Sequence, residues 1–108
     1  MDYDTYKNAH AYASYNREVL KNDKICGCFF CLNIFSPKEI TDYCNEYYID
    51  ESNSNYCDEK TAVTALCPHC YVDAIIGESS GYLITENLLK SMNYYAFIYG
   101  TSRDTNNQ

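Results

Sequence analysis

Cys28-Phe29-Phe30-Cys31 and Cys67-Pro68-His69-Cys70 decide how this chain is read. Each is a C-x-x-C turn, a bend short enough to present two sulfurs to the same side. Two such turns supply four thiolates, the donor set that a tetrahedral zinc takes at about 2.3 Å per sulfur. The expected metal ligands are therefore Cys28, Cys31, Cys67 and Cys70, and the expected cofactor is Zn2+. Four sulfurs fill every coordination position, so the ion is expected to be structural and the chain to have no catalytic residues. Residues 32–66 intervene between the turns, a longer spacer than the roughly 15–20 residues of small ribbons. It has room for further local structure.

The other cysteines read differently. Cys26 stands two residues before Cys28 and is the alternative ligand at that corner, disfavoured because the turn geometry prefers two intervening residues. Cys44 shares an apolar face with Ile40 and reads as a small buried hydrophobe. Cys57 lies in a polar stretch and reads as an exposed thiol. His69, inside the second turn, is either a replacement ligand or a group that faces solvent and supports the site from outside. His10 carries no signal.

A total of 108 residues suits one domain, 1–108, with a modest core. The stretch 44–60 is almost wholly polar, and a metal staple would offset the apolar surface it lacks. No apolar run reaches the about 18 residues of a membrane span. The start, Met1-Asp2-Tyr3-Asp4, is acidic and has no apolar h-region, so the expectation is a cytoplasmic, reducing location where cysteines hold metal rather than pair. Seven cysteines, an odd number, agree with that.

The formal charge is −7 and is uneven: residues 1–25 balance, while Glu39, Asp42, Glu46, Asp50, Glu51, Asp58 and Glu59 face only Lys38 and Lys60 across residues 26–70. Four thiolates around one divalent ion would take the total near −9, from the formal −7. Such a chain has little with which to neutralise phosphates, so direct nucleic-acid binding is not expected. A basic protein partner is.

Along the chain, residues 1–15 are rich in Tyr, Ala and Asn without a clean period and read as a loose helix or a flexible arm. Asn16 caps a short helix through Val19 and Leu20. Phe29, Phe30, Leu32, Ile34 and Phe35 are expected to wall the metal. Ser36-Pro37-Lys38-Glu39 is a capping box, predicting a helix with Ile40, Tyr43, Cys44 and Tyr47 on one face. Residues 49–60 form a polar loop. Thr61 to Leu66 and Tyr71 to Ile76 lean to β and predict a strand–turn–strand around Cys67–Cys70. Gly77 to Gly81 reads as a turn. Thr85 caps a last helix whose stripe is Leu88, Leu89, Met92, Tyr95, Ala96 and Tyr99; Gly100 ends it, and the rest, to Gln108, is a tail. The fold class expected is α+β, a small zinc-stapled domain with zinc-ribbon-like knuckles, a short β-hairpin and two to four helices.

Asn16 to Leu20, Ile25-Cys26-Gly27-Cys28-Phe29-Phe30-Cys31, Phe35 to Ile40, Thr64-Ala65-Leu66-Cys67-Pro68-His69-Cys70, and Asp73 to Gly77 followed by Ser80-Gly81 together resemble a family of small bacterial cytoplasmic proteins. The resemblance spans about residues 16–97. It implies a zinc-ribbon-like cytosolic domain and no activity. The chain departs from the ribbon pattern at Tyr71, where glycine is common, and at Leu83, where proline is expected.

Two functions compete. One is a non-enzymatic interaction module, in a sharper form an acidic inhibitor or immunity-type protein that blocks a basic, nucleic-acid-binding enzyme. Thirteen tyrosines and no tryptophan favour it, because exposed Tyr gives contact area at low entropic cost. A homodimer through the last helix is compatible with this function and with its competitor alike. The other is a cysteine-dependent small-molecule enzyme using Cys26 or Cys57, for which no base stands nearby in sequence. A thioredoxin-like reading of Cys67-Pro68-His69-Cys70 lacks a later proline, and a zinc deaminase lacks its H-x-E.

Overall fold

Asn16 is a polar side chain at the centre of the molecule. It is 2 % exposed, and its amide ties three separate segments together. Nδ2 donates to Tyr12 O at 3.2 Å and to Ile75 O at 2.9 Å, and Oδ1 accepts from Ala65 N–H at 3.0 Å. The predicted cap role is replaced by this one, since Asn16 makes no side-chain cap bond to the helix that follows. A computed structural model describes residues 1–44 and 63–99. The polar stretch 49–60, Tyr47, Cys57 and the tail lie outside the described residues.

Among the described residues, three helices and two antiparallel sheets make an α+β fold. Helix α1, Tyr3–His10, is capped by Asp2, whose carboxylate accepts from Thr5 N–H at 2.7 Å. Its inner face is Tyr6 and Ala9, continued by Ala13 in a 3-10 turn at Ala11–Ala13. The N-terminal segment is thus a packed helix and not an arm. Helix α2 is Arg17–Leu20.

Strands β1, Cys26–Cys28, β2, Ile34–Phe35, and β5, Ile75–Gly77, form one sheet in the order β2-β1-β5. The pairs are Cys26 with Phe35 and Gly27 with Ile34 on one side, and Cys26 with Gly77, Gly27 with Ile76 and Cys28 with Ile75 on the other. Strands β3, Tyr43–Cys44, and β4, Thr64–Ala65, form the second sheet. Helix α3, Glu86–Asn93, is capped by Thr85, whose Oγ1 accepts from Leu88 N–H at 3.1 Å, and it buries Leu89 and Met92. Gly27 is where it meets β1: a Cβ there would lie 2.8 Å from Leu89 Cδ1 and 3.1 Å from Ile84 Cγ2.

Three expectations are corrected. Ser36 does act as an N-cap, with Oγ accepting from Lys38 N–H at 3.2 Å, but the cap starts only a single 3-10 turn, Pro37–Glu39, and the Glu39 carboxylate lies against His69. Ile40 then leaves in an extended conformation. Tyr43 and Cys44 are drawn into pairing with Ala65 and Thr64, and sheet pairing outweighs the local helix signal. The segments on either side of Cys67–Cys70 do not pair with one another: β4 joins β3, and β5 joins β1. The hairpin lies instead around the first turn, between β1 and β2. Finally, the last helix changes pitch, running as a π-helix over Tyr94–Tyr99.

The π-helical segment explains the tyrosine-rich ends. Tyr95 and Tyr99, four residues apart in it, both reach Tyr3, at ring separations of 5.9 and 5.3 Å, while Tyr95 stacks on Tyr6 at 5.5 Å. Tyr95 Oη also donates to Met1 O at 2.9 Å. These rings zip the start of the chain to the end of α3.

Candidate metal centre

The two cysteine turns are built alike. In the first, Cys28 N–H donates to Asn33 O at 2.9 Å, Leu32 N–H donates to Cys28 O at 2.8 Å, and Phe30 N–H points at Cys28 Sγ at 3.4 Å. In the second, Cys67 N–H donates to Val72 O at 3.0 Å, Tyr71 N–H to Cys67 O at 2.8 Å, and His69 N–H points at Cys67 Sγ at 3.3 Å. The residue after each second cysteine is left-handed, Leu32 with φ 68° and Tyr71 with φ 64°. That reversal folds the chain back beneath the sulfurs.

All four thiols meet. The sulfurs of Cys28, Cys31, Cys67 and Cys70 lie within 4.8 Å of one another. Cys28 Sγ is 3.6 Å from Cys70 Sγ, and Cys31 Sγ is 3.6 Å from Cys67 Sγ. A tetrahedron with metal–sulfur bonds of about 2.3 Å has edges of about 3.8 Å. The spacing and the donor set therefore fit one tetrahedral ion, and these four residues could hold it. Cys28 and Cys67 are buried, Cys31 and Cys70 half-buried, so the cluster sits at the margin of the core.

Electrostatically the four corners differ. Burial pushes the Cys28 and Cys67 thiols up, against backbone amides that favour the thiolate. Burial also works to raise Cys31. There the amide N–H and side chain of Asn33, with the neighbouring Cys67 and Cys28 thiols, outweigh it and bring Cys31 down to about 7. Asn33 Nδ2 donates to Cys31 Sγ at 3.2 Å. This supporting role for Asn33 was missed by sequence reasoning, and its only signal is a polar residue two positions past the turn.

Cys26 stays outside the cluster. It is fully buried, its Sγ lies 3.5 Å from Phe35 O, and burial raises its thiol to about 12. Such a thiol is both inaccessible and protonated, the opposite of a nucleophile. Cys44 is half-buried on β3 rather than on a helix. His69 turns away from the sulfurs: its ring meets Phe35 edge-on at 5.2 Å, and Nε2 lies 3.4 Å from Glu39 Oε1. This joins the second turn to the Pro37–Glu39 turn.

The expected aromatic wall is only half inside. Phe29 and Phe35 are buried, Leu32 is half-buried, and Phe30 and Ile34 are exposed. Phe29 packs against His10 and Phe97. Phe30 leaves the core and meets Phe97 edge-on at 5.1 Å. These two rings form an outward aromatic pair beside the first turn, and Tyr94 and Ile98 of the same helical segment are exposed as well. Asn93 fixes the pair by donating from Nδ2 to Phe29 O at 2.9 Å. Every described carboxylate except that of Asp23 is exposed. Among the described residues, no helix is long and apolar enough to cross a membrane. Comparison of the chain with protein-family models, with curated proteins and with solved structures finds no match.

Proposed function

We propose that this chain is a zinc-stapled recognition module without catalytic activity, whose acidic and aromatic surface blocks a basic protein, in the manner of an inhibitor or immunity protein. The observation that carries the reading is the closed donor set: four cysteines at tetrahedral spacing leave an ion no vacant position for substrate. Zinc is the ion such a set suits, being content with four thiolates and free of redox demands. Held by Cys28, Cys31, Cys67 and Cys70, it would lock two ribbon-like knuckles and supply no chemistry beyond that.

Two surface features support recognition. Phe30, Tyr94 and Phe97 offer rigid rings, and Ile98 an aliphatic side chain, on a scaffold anchored at the metal turn. The surplus of exposed carboxylates steers a cationic partner toward them and works against phosphate backbones. The test is in two steps. Elemental analysis of freshly reduced protein should give one zinc per chain. Capture from the host at low salt should then retain a basic protein that is released by raised salt and no longer retained by Phe97→Ala or Phe30→Ala. Equal retention by the variants, or no basic protein, would remove the interaction reading while leaving the metal untouched.

A further inference from the structure

The two cysteine turns share a backbone and differ in one side chain. Cys28 N–H donates to Asn33 O as Cys67 N–H donates to Val72 O, so Asn33 and Val72 hold equivalent places. Asn33 turns its amide back on the turn, and Nδ2 donates to Cys31 Sγ at 3.2 Å. Val72 has no donor to offer, and its side chain packs against the core. The four sulfurs are served unequally as a result. Phe30 N–H points at Cys28 Sγ, His69 N–H at Cys67 Sγ and the Asn33 amide at Cys31 Sγ. Among the described residues no N–H donates to Cys70 Sγ, whose hydrogen-bonding neighbour is Cys28 Sγ at 3.6 Å.

Exposure divides the corners a second way. Cys28 and Cys67 are fully buried, while Cys31 and Cys70 are half-buried. A reagent from solvent therefore reaches two corners, and one of the two is screened by Asn33. On the reading that zinc fills the centre, all four sulfurs are thiolates and ionisation does not distinguish them. Hydrogen bonding does: an N–H donor draws charge from a thiolate and makes it a poorer nucleophile. Cys70 is the corner that is both reachable and undamped.

We propose that Cys70 is an oxidation site, the sulfur through which hydrogen peroxide enters the loaded centre, with Cys28 as the resolving thiolate. The Cys70 thiolate attacks one peroxide oxygen, the O–O bond breaks, Cys70 becomes a sulfenic acid and hydroxide leaves. The Cys28 thiolate then attacks the Cys70 sulfur. An S–S bond forms, the S–O bond breaks and a second hydroxide leaves. The two cysteines lose two electrons and the peroxide gains them. Cys31 and Cys67 are left as two donors, too few for a tetrahedral ion, so the oxidation unlocks the joint between the two turns. The aromatic surface takes no part in it.

The experiment uses freshly reduced full-length protein whose zinc content has been measured. Hydrogen peroxide is added at one equivalent or less, the reaction is quenched in acid, and disulfides are mapped by peptide mass spectrometry. In parallel, a chromogenic chelator follows zinc release. The Cys28–Cys70 bridge should form first, at least about fivefold ahead of Cys31–Cys67, and zinc should leave in step with it. Asn33→Ala, an exposed change, should bring the Cys31–Cys67 bridge level with it. Val72→Asn, which supplies the missing donor, should slow Cys28–Cys70 about fivefold; if that variant fails to take zinc, Asn33→Ala decides alone. A first bridge between any other pair, or an unchanged ratio in a zinc-loaded variant, overturns the proposal and leaves the zinc reading standing. A protein that holds no zinc removes both.

Discussion

Leu32 and Tyr71 occupy the same place in the two cysteine turns, each donating its N–H to the first cysteine carbonyl at 2.8 Å from a left-handed backbone. Neither residue is one that this conformation favours; a Cβ there costs roughly 1 kcal/mol relative to glycine. The two sites differ in what they would lose by relief. Leu32 packs against the core, whereas Tyr71 is 65 % exposed. We therefore expect Tyr71→Gly to raise the stability of the metal-loaded protein, by about 0.5–1 kcal/mol. Leu32→Gly should lower it, because lost packing exceeds the strain removed. Paired denaturation curves decide the point, and a Tyr71→Gly variant that melts earlier would show that the ring has a role beyond its own backbone.

Asn16 carries the second expectation. Asn16→Ala leaves Ile75 O and Ala65 N–H buried without their partners. Each orphaned group costs about 1–3 kcal/mol, so the variant should lose about 2–4 kcal/mol in urea denaturation. Asn16→Asp keeps the acceptor for Ala65 and loses both donations, and it adds a buried charge. It should be at least as damaging. A loss below about 1 kcal/mol would mean that the three segments are held by packing alone.

What the sequence made legible follows from how local each cause is. The cluster of four cysteines could be read because a C-x-x-C turn fixes two sulfurs through four consecutive residues. The Thr85 helix could be read because its cap and apolar stripe are contiguous. Ser36 misled for the converse reason: the cap is local, but the strand that stopped its helix is Thr64–Ala65, brought from far along the chain. The first helix was hidden because its buried face is Tyr6, Ala9 and Ala13, which carries little apolar contrast. Asn16 looked like a cap because its real partners, at Ala65 and Ile75, are remote in sequence.

Gly27 should tolerate no side chain. A methyl there meets Leu89 Cδ1 at 2.8 Å and Leu89 Cδ2 at 3.1 Å, inside the contact between β1 and α3. Leu89 is fully buried and has nowhere to retreat. Gly27→Ala should cost about 1–3 kcal/mol through overpacking. Because Gly27 directly precedes Cys28, zinc affinity should fall with it. Gly27→Ala combined with Leu89→Ala tests the mechanism: if the clash is the cause, the double variant is less damaged than the two single losses predict by addition.

Removal of the proposed zinc should be governed by pH, with a definite sign. In the metal-free protein the Cys28 and Cys67 thiols are held above their ordinary 9.0 by burial, while Cys31 sits near 7. Zinc takes thiolates, so binding must expel the protons of Cys28 and Cys67 outright at neutral pH and about half a proton from Cys31. In the loaded state the metal holds all four groups ionised, which places their folded values below those of the unfolded chain. Stability from the metal is therefore present at high pH and is lost as pH falls. Four thiols must become thiolates, so chelator competition should show apparent zinc affinity dropping by about three to four powers of ten per pH unit below neutrality. Cys26 contributes nothing to that slope, so Cys26→Ala should bind one zinc with the same pH dependence, whereas Cys31→Ser should lose affinity and flatten the curve. An unchanged slope in Cys31→Ser would remove that residue from the ligand set.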